Sequence, residues 1–254
     1  MSPATNTADS AGQPWAGRHF EPNTAADDDG SAPEHLIAAI ARFHAGEAGE
    51  SEVVEALRTA RLLIPLVAEL GADGLTERGH DKTQELSIVT VVGPDGRTVL
   101  PAFSSVTAMA AWNPTARPIP AAATRVALAA VHEQTDVVVV DARSSTEFAI
   151  RRPALWAIAN AQSWQPSYRD ERVLATFAES AVGEPAVRSV ALAAGDPAGR
   201  LTGPELVVQL ALEPGLDQAA LGALLERLQG RWASDETIAA RVDSMRVQLT
   251  AAAG

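Results

Sequence analysis

From Pro33 onward the apolar positions of this chain recur at helical or strand spacing; before it they do not. Leu36, Ile37, Ile40 and Phe43 form a helical stripe behind Pro33-Glu34, a proline and an acid in the positions that open a helix. Val53, Val54 and Leu57 repeat the period after Ser51. Residues 61–68 are almost continuously apolar and predict a strand buried on both faces, with Pro65 marking an edge that bends or stays unpaired. Residues 86–92 and 98–103 predict a hairpin around Gly93-Pro94-Asp95-Gly96. Ser104-Ser105 then caps a helix through Trp112, which Asn113-Pro114 ends. Arg117-Pro118-Ile119-Pro120 is extended, with Ile119 expected to pack across a sheet, and residues 121–131 are helical. Val137–Val140 is the strongest strand signal; residues 147–150 return beside it, and Arg152-Pro153 starts a helix to about Ala159.

Residues 161–167 read as a linker, after which helix 171–180, strands 187–193 and 205–212, helices 217–229 and 235–240 and strand 244–249 follow. The expected fold class is α/β with α+β character: two small mixed or antiparallel sheets flanked by helices. The expected organisation is a disordered acidic tail over residues 1–33, an α/β domain over 34–162 and a smaller α+β domain over 163–254, its strands mainly antiparallel. Within the tail, Trp15 and Phe20 bracket a short segment suited to docking.

Charge narrows the partners. The net charge is -12, and residues 1–33, 34–166 and 167–254 each carry an excess of four acids, so no basic segment hides inside an acidic average. Nucleic acid and anionic membrane are therefore disfavoured. There is no cysteine, hence no disulfide or thiolate site. The polar start of the chain has no signal-peptide pattern, and no apolar run reaches membrane-spanning length, so a cytoplasmic location is expected.

Several segments taken in order carry a family resemblance: Leu63-Ile64-Pro65-Leu66, Asp81-Lys82-Thr83-Gln84-Glu85-Leu86, Asp95-Gly96-Arg97, Leu100-Pro101-Ala102-Phe103-Ser104-Ser105, Trp112 and Ala116-Arg117-Pro118-Ile119-Pro120. Over about residues 50–160 this order resembles the SseB family, and the region from 170 resembles the C-terminal domain often paired with it. The resemblance implies a small α/β unit and brings no reaction, cofactor or catalytic residue with it.

The residues themselves offer little chemistry. His19, His35, His44, His80 and His132 have no ligand spacing, and no cofactor or metal is expected. Ser104 and Ser105 stand at a strand-to-helix junction, but their flanks, Phe103 and Val106, lack the glycines of a nucleophile elbow, so a capping role is favoured. Asp27-Asp28-Asp29-Gly30-Ser31 lacks calcium-loop spacing. Asp81-Lys82-Thr83-Gln84-Glu85, holding the sole lysine, is the most distinctive polar segment. Asp81, Lys82, Glu85, Ser104, Ser105, Trp112 and Arg117 are the candidate ligand-binding residues. Trp112, Trp156, Trp164 and Trp232 are expected as core or interdomain anchors. The expected function is a non-enzymatic interaction protein with a protein or peptide partner. The alternative is a small-molecule sensor or cryptic hydrolase with a pocket near Asp81, Lys82, Glu85 and Ser104, in which Asp141 would join. Weak self-association through apolar helix faces is a third expectation.

Overall fold

A computed structural model describes residues 28–67, 87–132 and 135–251 of the chain. The fold is α/β. Its first half opens with helices α1 (Glu34–His44) and α2 (Glu50–Arg58), followed by strand β1 (Arg61–Val67). Next come β2 (Ser87–Ile88), β3 (Val91–Val92), β4 (Thr98–Ala102), α3 (Val106–Trp112), β5 (Arg117–Ala122) and α4 (Ala123–His132). Strand β6 (Val137–Val140) and the turn 141–147 lead to β7 (Phe148–Arg151), which runs without a loop into α5 (Arg152–Ala159). Two sheets result, ordered β2-β1-β5 and β3-β4-β6-β7, and an antiparallel bridge between Leu63 and Phe103 joins them. Strands β4 and β6 are parallel, while the remaining ladders in this half are antiparallel.

Burial explains why these segments choose strand or helix. All four valines of β6 are buried, because β6 lies between β4 and β7 with material on both faces. On one face Val138, Val140, Leu100 and Ile150 meet Leu36, Ile40, Val53, Leu57 and Leu155, the apolar stripes of α1, α2 and α5. Ser105 caps α3 by accepting from the Ala108 N–H at 3.1 Å. The Arg117–Pro120 segment is indeed extended, but as the edge strand β5, in which Ile119 is 42% exposed instead of packed across the sheet. Its prolines remove donors that an interior strand would need, which suits an edge.

The second half contains a short 3-10 turn (Ser167–Arg169), α6 (Glu171–Ser180), β8 (Val187–Ala194), β9 (Leu206–Leu212), α7 (Gln218–Ala233), α8 (Glu236–Arg241) and β10 (Met245–Ala251). Its sheet is β10-β9-β8, and the β9–β10 ladder is parallel, so pairing is mixed instead of mainly antiparallel. The helical crossover through α7 and α8 permits that direction. Leu206, Val208, Leu210 and Leu212 on one face of β9 pack on Val173, Phe177, Leu224, Leu228 and Trp232. Phe177 and Trp232 meet edge to face at 5.3 Å.

The two halves share a core. The loop between β8 and β9 reaches back to the first half, where the Gly199 carbonyl accepts from the Ala149 N–H of β7 at 2.7 Å. Leu201, 2% exposed, closes over Val99, Val137, Val139 and Ala149, the face of β4, β6 and β7 that the helices leave open. Gly199 has φ +63°, and a Cβ there would stand 3.2 Å from the Phe148 ring and 3.3 Å from Phe43. No helix among the described residues is long and apolar enough to cross a membrane.

Candidate functional site

Three features among the described residues bring polar side chains together around the sheet ends and between the halves. The first lies just beyond the carboxyl ends of the parallel pair β4 and β6. Asp141, buried and at φ +49°, accepts from the Ser104 N–H at 2.7 Å, the Ser104 hydroxyl at 2.6 Å and the Thr146 hydroxyl at 2.8 Å. Asp141 N–H in turn donates to the Ala102 carbonyl, so strand pairing itself sets the carboxylate opposite Ser104. The Ser104 hydroxyl is therefore committed to a carboxylate and not to an imidazole. The arrangement ties the turn 141–147 to the end of β4.

The second feature is an ionic seam between the halves. Arg151 ends β7 and is at once the N-cap of α5, which aims its side chain at the second half. Its guanidinium, in a residue only 6% exposed, donates to Asp196 at 2.8 Å, the Gly203 carbonyl at 2.9 Å, Asp243 at 3.2 Å and Ser244 at 3.3 Å. Arg97, at the hairpin turn, adds bonds of 2.9 and 3.1 Å to Asp243. Asp196 also holds its own loop, accepting from the Leu201 N–H at 2.7 Å and the Thr202 hydroxyl at 2.8 Å. Nearby, Glu205 accepts from the N–H groups of Asp243 and Ser167, and the Tyr168 hydroxyl donates to Glu50 at 3.0 Å. Burial pushes the Glu50 carboxyl up to about 7, against the lowering effect of the Tyr168 hydroxyl and with help from the Glu205 charge. Glu205 is also raised, by burial first, while its backbone donors pull the other way.

The third feature is a groove of about 660 Å³ where α5 and the segment after it face α8. Trp156 and Trp164 line it with Asn160, Gln162, Gln165 and Arg241. Trp164 leans on the first core, but Trp156 is 50% exposed, so it is no core anchor. Arg241 is held at 2.7 Å by Asp170, itself the N-cap of α6. Arg152 pins the facing backbone through the carbonyls of Ala239 and Val242 at 2.8 and 2.9 Å.

The sequence-derived candidates fall in different places. Asp81, Lys82 and Glu85 lie outside the described residues. Ser104 bonds to Asp141, while Ser105 caps α3. Trp112 packs on Phe103 with ring centres 5.3 Å apart, in a cluster with Leu63 and Met109. Arg117 stands exposed on β5, opposite Leu66. The seam and the groove had no pattern in the sequence to announce them, since Arg151, Asp196 and Asp243 are 45 and 92 residues apart.

Residues 34–157 match the family model of the SseB protein N-terminal domain. The match supports the SseB family for this part of the chain. It spans α1 to most of α5 and so contains the Ser104–Asp141 cluster, Arg97 and Arg151, the first half's share of the seam. No curated protein and no solved structure matches the chain.

Proposed function

We propose that this protein is a non-enzymatic binding protein that receives a protein or peptide partner in the groove between an SseB N-terminal domain and an SseB-like C-terminal domain over residues 163–254. The observation that carries this reading is the half-exposed Trp156 in a groove rich in side-chain amides. An exposed indole supplies contact area at little entropic cost, and amides at 160, 162 and 165 can pair with a peptide backbone. The net charge of -12 over the whole chain favours a basic partner over an acidic one.

Selection of a displayed peptide library on the purified full chain tests it. A consensus enriched on the wild type and lost on Trp156→Ala is expected. Equal enrichment on both proteins would remove the groove from the proposal.

The alternative is a small-molecule sensor or hydrolase, for which the 2.6 Å Ser104–Asp141 contact is the supporting observation, with Asp81, Lys82 and Glu85 as its further members. A metabolite that raises the unfolding temperature of the wild type but not of Ser104→Ala would favour this second reading.

A further inference from the structure

Residues 28–31 lie against the body of the protein, and the contacts that hold them have the form of a recognition site. The Arg61 guanidinium, at the start of β1, points three ways. Nη1 donates to the Ser104 carbonyl at 2.7 Å, while Nη2 donates to the Asp28 carboxylate at 2.7 Å and to the Ser31 carbonyl at 2.5 Å. Between those two contacts the Gly30 carbonyl accepts from the Val106 N–H at 2.9 Å. Gly30 has φ +76°, and a Cβ there would lie 2.5 Å from Val106 Cγ2, so a side chain at this position is refused twice. A carboxylate, a backbone carbonyl and the absence of a side chain are each read separately.

The receiving groups do not depend on the segment they hold. Arg61 is placed by β1, and its Ser104 contact is backed by the bonds from Ser104 to Asp141. The position lies past the carboxyl ends of the parallel strands β4 and β6, where open α/β sheets leave the crevice that takes ligands. The hold on the segment rests on few contacts: one partly buried ion pair, whose Arg61 and Asp28 side chains keep 22% and 16% of their surface in solvent, and the two carbonyl bonds. A segment of the same chemistry on another molecule competes with a short tether to α1, at an effective concentration of about millimolar, and so enters when the arm is displaced.

We propose that Arg61 and the Val106 N–H form a recognition site for a turned acidic segment of the form Asp-x-Gly-x, filled in the resting chain by Asp28–Ser31 and open to a partner's segment when this arm lifts. The site is separate from the groove at Trp156 and prefers acidic chemistry, whereas the partner proposed for the groove is basic. The two readings therefore stand or fall apart.

Amide hydrogen exchange at Val106 in the full chain, followed by NMR, tests it with the peptide Ala-Asp-Asp-Asp-Gly-Ser-Ala-Pro as probe. In the wild type the Val106 amide exchanges slowly, and Gly30→Ala speeds it about tenfold while the buried β6 amides keep their rates. Millimolar peptide restores slow exchange in Gly30→Ala, but fails in Gly30→Ala/Arg61→Gln and has no effect on the wild type, whose site is filled. Equal Val106 exchange in the wild type and Gly30→Ala would show that the arm is not docked and overturn the proposal. Failure of the peptide on Gly30→Ala would reduce the contact to a tether-dependent one and overturn it as a recognition site.

Discussion

Two buried carboxylate systems of this molecule solve the same physical problem by different means. Asp141 is surrounded by hydroxyl and backbone donors from its own half, all within 37 residues of chain. Asp196 and Asp243 belong to the second half and are met by the guanidinium of Arg151 from the first. A carboxylate satisfied by neutral donors fixes a local turn. One satisfied by a distant cation fixes how two bodies sit. The lesson is that a lone charge is tolerated where the backbone brings donors to it, whereas an interface needs a counter-charge able to reach several acceptors, a task suited to the forked guanidinium of arginine.

The contrast is sharpest if the cation is removed. Arg151→Met leaves Asp196 and Asp243 buried with less compensation, and a loss of about 3–5 kcal/mol is expected in denaturant unfolding. Trp156 emission should shift as the groove loses its shape. A loss below about 1 kcal/mol would mean that Leu201 and its apolar contacts, not the ionic seam, hold the halves together.

Removing the carboxylate of the other system should have a smaller effect. Asp141→Ala strands the Ser104 and Thr146 donors, for an expected loss of about 2–3 kcal/mol, read from the same unfolding curves. Trp156 emission of the folded protein should stay as in the wild type, because this cluster does not touch the groove. A spectral change equal to that of Arg151→Met would break the distinction between a local and an interdomain role.

The smallest effect belongs to pH. Glu50 sits at the seam beside Tyr168, with the charges of Glu205, Asp196 and Arg151 acting on it. Its carboxyl titrates near 7 in the folded protein, above the ordinary range, so the folded state binds this proton more tightly than the unfolded state. The stabilisation is complete below the ordinary glutamate range and is lost as pH rises through about 7. Between pH 6 and 8 the wild type should lose about 1 kcal/mol more than Glu50→Gln, which carries no titrating group there. Parallel thermal-unfolding profiles for the two proteins across this window would remove Glu50 from the coupling between the halves.

Much of the local structure was legible before any fold was known. The Val137–Val140 run, the turn at Gly93–Gly96, the cap at Ser105 and the Arg152-Pro153 helix start depend on neighbours within a few residues, and each formed where the pattern placed it. The site was less legible. Ser104 and Asp141 could be named separately, but their contact needed the parallel β4–β6 pairing, a register decided by packing. Trp156 read as an anchor because the helical period of α5 says which face is apolar, not which neighbour will cover it.

By itself, the sequence determined the order and rough position of most helices and strands, the α/β class and the acidic character of the whole chain, because propensity, capping and net charge act locally or simply add. The tertiary structure alone decided that Leu201 would close the first sheet, that Arg151 would bridge Asp196 and Asp243, and that Gly30 would fit under Val106. Those partners are separated by 45 to 102 residues, and nothing in the chemistry of either member of a pair specifies the other. Only the mutual burial of two apolar layers brings them within reach.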